Sequence, residues 1–202
     1  LTGHYELGPG ALQLGLAALQ QLDPLTEASQ EAAQLAAASD LSIALAVWGQ
    51  LGPTVVRLDE PRYPLHVNLR VGTVMSLFNT ITGRVFAAYL PEKMVRSMLE
   101  DEHRRVVGGT SASFDAPEVQ ALLSEIRATG MGRGVSMPQP GVNTLCAPVF
   151  DAAGHIALVM TMIGPQGVFD AEIDSAAGEL LRQHARRTSL RLGHSVLTTA
   201  IG

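Results

Sequence analysis

The chain is predicted to form an α+β domain, α/β in the broad sense, in which one antiparallel sheet is flanked by helices packed on it. Three observations predict this. Apolar residues repeat at helical spacing before Leu41, switch there to alternation, and return to helical spacing after Thr80. Two hairpins, over 41–59 and 144–163, join apolar and β-branched runs through short turns containing Gly, Pro or Asp. Capped helix stripes precede, separate and follow these hairpins, with no internal repeat or low-complexity segment.

The chain opens on a short extended stretch, Thr2 to Leu7, that runs through Gly8-Pro9-Gly10 into a helix striped by Leu12, Leu16, Leu19 and Leu22. That opening reads as the tail of a preceding segment. Asp23-Pro24 supplies a cap and a first-turn proline for a second helix to about Ala38, with Leu25, Ala28, Ala32 and Leu35 inward. The strand from Leu41 ends at Trp48-Gly49, and Thr54 to Asp59 answers it across Gly52-Pro53. A third extended stretch is expected around 65–70. Asn79 or Thr80 caps a helix to about Leu90, and Pro91-Glu92 opens another with Met94, Val95, Met98 and Leu99 on one side. After Gly108-Gly109, Asp115-Ala116-Pro117 opens a helix striped by Val119, Leu122, Leu123 and Ile126 and closed by Gly130. Residues 131–140 read as a loop or a poor edge strand. Thr144 to Phe150 and His155 to Ile163 form the stronger hairpin around Asp151 to Gly154, expected centrally in the sheet, and a terminal helix capped by Asp170 turns Ile173, Ala177, Leu180, Leu181 and Ala185 inward.

Composition narrows the function. A net charge of -5 argues against these residues gripping nucleic acid themselves, because backbone binding needs a concentrated positive footprint. The one basic cluster, Arg182, Arg186, Arg187 and Arg191, sits late in a helix whose early turns are acidic, as the helix dipole favours, and reads as a solvated face. No apolar run is long enough to span a bilayer. One cysteine, Cys146, excludes an intrachain disulfide and suits a reducing cytoplasm.

Little in the chain points to catalysis. Cys146 lies inside a strand with no base or helix terminus in view, so a buried, inert role is expected. The six histidines show no metal-ligand spacing, and no metal or cofactor is expected. Ser76 and Ser136 belong to no nucleophile elbow, and the glycines of 130–134 do not pass from a strand into a helix as a dinucleotide fingerprint requires. The stretch Ser76 to Arg84 is more informative. A helix starting near Thr80 presents the free amides of Ile81 and Thr82 as a seat for a carboxylate; equally, Thr80 simply caps its own helix.

Several short motifs fall in a familiar order: Tyr5-Glu6-Leu7-Gly8 before a leucine-striped helix, Ser76 to Arg84 before Leu90-Pro91, Pro140-Gly141-Val142, Ala147-Pro148-Val149-Phe150-Asp151 with Gly154, and Gly164-Pro165. Together, over essentially the whole chain, they resemble the IclR family of bacterial transcriptional regulators. The resemblance implies a GAF-like or profilin-like effector-binding domain over 23–202, preceded at 1–22 by the end of a wing and a linker helix. The winged helix-turn-helix that contacts DNA in that family would lie before Leu1. It further implies a homodimer or homotetramer in the cytoplasm, without membrane contact, and a small-molecule organic acid as effector. Carried over by motif, the effector-binding positions are Ile81, Thr82, Gly134, Thr144, Thr161 and Ile163. Ile81 stands where many relatives carry a small residue, Gly134 where an acid is common, Thr144 for a cysteine and Ile163 for a serine, and Ser76-Leu77-Phe78-Asn79 replaces P-L-H-A.

These exchanges point to a partly apolar acid, an aromatic one included, rather than a small polar keto acid. Burying ~200 Å² of apolar ligand yields roughly 5 kcal/mol, whereas micromolar binding needs about 8, so some polar anchoring has to remain. The expected function is effector sensing and oligomerisation for a DNA-binding regulator, not catalysis. Two rivals stand beside it: a GAF-like hydrolase or redox enzyme, and a degenerate sensor that only assembles.

Overall fold

The computed structural model describes residues 23–61, 69–105, 113–137 and 139–195. The leucine-striped helix expected before Asp23, and most of the extended stretch expected at 65–70, lie outside these residues. Five helices and five strands follow in order: α1 (Pro24–Ser39), β1 (Ser42–Gly49), β2 (Gly52–Asp59), α2 (Ile81–Tyr89), α3 (Glu92–Arg105), α4 (Pro117–Thr129), β3 (Gly132–Gly134), β4 (Val142–Phe150), β5 (Ile156–Pro165) and α5 (Ala176–Arg191). The strands form one sheet, β2-β1-β5-β4-β3, antiparallel throughout, with β5 at its centre. The α+β expectation holds.

Alternation along the strands divides the core into two layers. Ile43 and Leu45 of β1, Leu145 and Ala147 of β4, and Met160 and Met162 of β5 face α1 and α5. Ala46, Cys146 and Val159 face the other way, toward α2, α3 and α4. Each fully buried aliphatic side chain stabilises the fold by roughly 1.5–3 kcal/mol, so the sheet is held by packing on both its faces.

Local chemistry sets the ends of the elements. Asp23 caps α1 by accepting from the Leu25 amide at 3.0 Å, with Pro24 in the first turn. Gly130 ends α4 in the left-handed region at φ 71°. The β4–β5 turn is held by Asp151, whose Oδ1 accepts from the amides of Ala153 and His155 at 2.9 Å.

Three sequence expectations shift, and a fourth, open between a loop and a poor edge strand at 131–140, resolves to the strand. The segment that follows β2 makes its contact through Thr73 to Met75, pairing Thr54 with Val74, and residues 69–70 are not a strand. Residues 132–134 are an edge strand of three residues. Met94 is exposed beside buried Val95, Met98 and Leu99. Finally, α5 starts at Ala176 with Ser175 as its cap; Asp170 instead accepts from the Glu172 amide, which leaves Ile173 ahead of the helix.

Candidate functional site

The start of α2 is built by the loop before it. Glu102 of α3 clamps that loop, its carboxylate accepting from the Ser76 hydroxyl and, at 2.9 Å, from the Leu77 amide. Thr80 then caps the helix: its hydroxyl oxygen accepts from the Gly83 amide at 3.0 Å and its proton goes to the Ser76 carbonyl at 2.7 Å. Position 83 has to be glycine, because a Cβ there would collide with the carbonyl oxygens of Ser76 and Leu77. Thr80 therefore does cap its own helix, yet it satisfies only the third amide. Those of Ile81 and Thr82 have no acceptor within the helix, and they carry its positive end.

Opposite this helix start lie β4 and β5. Their register sets Thr144 beside Ile163 and Cys146 beside Thr161, and the two-residue period turns all four toward α2. The hydroxyls of Thr82 and Thr161 meet at 3.0 Å, and the Cys146 thiol lies 3.3 Å from Thr161 and 3.6 Å from Thr82. Thr144 donates to the Met137 carbonyl at 3.0 Å. Between these elements is a cavity of about 80 Å³. Ile81, Thr82, Thr144, Thr161 and Ile163 all line it, and all five are buried.

Gly134 does not line that cavity. It pairs with Thr144 across β3–β4 and lines a neighbouring hollow of about 280 Å³. Its contribution to the first cavity runs through Ile81, since a Cβ at position 134 would sit 2.6 Å from Ile81 Cγ1. The missing side chain lets Ile81 lie where it does.

With fold and cavity in hand, comparison with known proteins decides the family. The model described as bacterial transcriptional regulator IclR C-terminal matches residues 16–190. The chain belongs to the IclR family. The crystal structure of Pseudomonas aeruginosa HmgR superposes with a TM-score of 0.85 at 39% identity, covering 96% of this chain and 77% of that one. The HTH-type transcriptional repressor AllR of Klebsiella pneumoniae is 23% identical over 192 residues, 95% of this chain and 70% of AllR. The Agrobacterium tumefaciens repressor BlcR shares the fold, with a TM-score of 0.75 at 20% identity over 94% of this chain and 75% of BlcR.

In this IclR-family domain, five of the six residues chosen from the sequence meet at one cavity and the sixth supports it from behind. Sequence reading missed Leu69, Met75, Gln139 and Val142, which with Thr80 complete the wall, and Glu102, which anchors the loop. Val142 was within reach of the alternation rule, two residues before Thr144, but the strand was begun too late. Glu102 carried no local signal, because its partners are 25 and 26 residues away.

Burial pushes the Cys146 thiol up to about 11, with hydrogen bonds from Thr161 and Thr82 opposing only part of the rise. Such a thiol is a poor nucleophile. Among the described residues no group of three or more His, Cys, Asp or Glu side chains is placed to hold a metal. No helix among them is long and apolar enough to cross a membrane.

Proposed function

We propose that this chain senses a small, partly apolar organic acid, the cavity of about 80 Å³ widening for an aromatic one, and oligomerises as the regulatory part of an IclR-family transcription factor. The reading rests on one observation: residues drawn from three separate stretches of sequence, 81–82, 144 and 161–163, line a single cavity at a helix start. The acid's carboxylate sits against the amides of Ile81 and Thr82, where the helix dipole favours negative charge. The hydroxyls of Thr161 and Thr144 orient it, and Ile81, Val142, Ile163 and Met75 cover its apolar part.

In this account residues 23–202 are the effector-binding unit and 1–22 the end of a wing and a linker helix. The assembled regulator is a cytoplasmic homodimer or homotetramer that reaches DNA through a winged helix-turn-helix ahead of Leu1. Effector binding favours one arrangement of the linked DNA readers and so changes operator affinity. The chain has no catalytic role; the cavity offers a high-pKa thiol and hydroxyls that bond to one another, not an activated nucleophile.

A thermal-shift screen of the 202-residue chain against aliphatic and aromatic monocarboxylic acids tests this. At least one acid should raise Tm in a dose-dependent manner. The rise should disappear in Thr82→Val/Thr161→Val, which keeps shape and removes both hydroxyls. Stabilisation that survives in this variant, or none across the panel, contradicts the proposal.

A further inference from the structure

The hollow around Gly134 is distinct from the cavity at the start of α2, and among the described residues only Ile81 lines both. It lies between α2, α4 and the edge strand β3, with a volume of about 280 Å³. Its walls are mostly apolar and incompletely covered: Val135 is 43% exposed, and Leu122, Met137 and Ile173 are half-buried. Three charged side chains reach it, and they differ in kind. Arg133 is already paired with Glu172 at 2.6 Å, and Glu125 is exposed to water.

Arg84 is the exception. It is half-buried, its Nε donates to the Phe78 carbonyl at 2.8 Å, and among the described residues no carboxylate pairs with it. Burial alone moves its pKa down, the mark of a cation that has lost water without gaining an anion. Arg84 follows Ile81 by three residues, so both project from the same side of α2. The carbonyl of Phe78 fixes the guanidinium near the helix start, where the dipole adds potential of the same sign.

We propose that this hollow is a second small-molecule site, taking a ring-sized monocarboxylate whose carboxylate pairs with Arg84 and whose apolar body covers Leu122, Met131 and Val135. The volume falls just below the roughly 300–1,000 Å³ of pockets for drug-sized ligands, which suits a single ring. Ile81 is a wall common to both spaces, so an occupant of one sets the room left in the other, and the two sites are coupled. This site stands whether or not the first cavity holds the effector.

Benzoate titrated into the 202-residue chain, labelled at Ile δ1 and Met ε methyl groups, tests the site by NMR. Ile126, Ile173 and Met131 report this hollow, while Ile163 and Met75 report the first cavity. Saturable shifts of Ile126, Ile173 and Met131 are expected, with affinity falling about tenfold or more for benzamide, which lacks the charge, and in Arg84→Met. Leu122→Trp, which fills the hollow and leaves Arg84 in place, should also abolish these shifts. Shifts confined to Ile163 and Met75, equal binding of benzamide, or affinity unchanged in both variants would overturn the proposal.

Discussion

Gly134 and Ile81 show how far one missing methyl group can matter. A Cβ at position 134 would press on Ile81 Cγ1 at 2.6 Å and on Met137 Cβ at 3.3 Å. Gly134→Ala is therefore expected to lower stability by about 1–3 kcal/mol through overpacking and to alter ligand affinity in the first cavity; urea unfolding and calorimetry measure the two. Cys146 makes a second prediction. Its thiol stays protonated in the folded state to about 11 against an ordinary 9, so between these pH values the unfolded chain releases a proton that the folded chain keeps. Stability falls with rising pH across that window, by about 3 kcal/mol, and Cys146→Ala should remove that part of the slope. The same burial leaves roughly 0.1% thiolate at pH 8, so thiol reagents should modify Cys146 only as fast as the chain unfolds.

Pairs of elements carry the remaining electrostatics. Glu31 of α1 is fully buried against α5, its Oε2 2.6 Å from His184 Nδ1 and 3.4 Å from Arg187. Arg191 lies 3.2 Å from Oε1, near enough to pair but misaligned for a hydrogen bond, so that oxygen is incompletely satisfied. Breaking the cluster with Glu31→Leu should cost about 3–5 kcal/mol, and the double variant Glu31→Leu/His184→Leu far less, since no buried polar group is then stranded. Chemical denaturation of both variants checks the difference. In the sequence, these arginines read as a solvated helix face. Charge order along α5 was legible, but the buried acid 156 residues before Arg187 was not. The α5 start was misread for a related reason: Asp170 and Ser175 are equally good cap residues, and only the fold shows that Ser175 faces the Gly178 amide. On the site side, Glu102→Ala frees the loop before α2, and ligand affinity should drop about tenfold, whereas Thr80→Ala should cost about 1 kcal/mol of stability.

At the scale of the whole molecule, one antiparallel sheet with the late hairpin at its centre and helices packed on it followed from periodicity, turns and caps, because those signals are local and repeated; the strand order, which sets β1 beside β5, did not. The strands of the hairpins, the start of α2 and the glycine end of α4 were read this way. What periodicity could not supply was shape. Nothing in the local pattern distinguishes Gly134, behind Ile81, from the residues that line the cavity, nor reveals a second hollow on the far side of that isoleucine. The cavity itself lies on the face of the sheet opposite α1 and α5, with β5 between: Thr161 and Ile163 face the cavity while Met160 and Met162 pack under α1 and α5. A ligand that moves β5 therefore moves the packing beneath α1, the helix that comes next in sequence after the proposed linker. The most direct test of this account is a crystal structure of the chain grown with the acid that most raises its Tm. The account predicts density in the cavity at the start of α2, with the carboxylate within hydrogen-bonding distance of the Ile81 and Thr82 amides. A map with that space closed by the protein's own side chains, and the acid bound elsewhere, would contradict it.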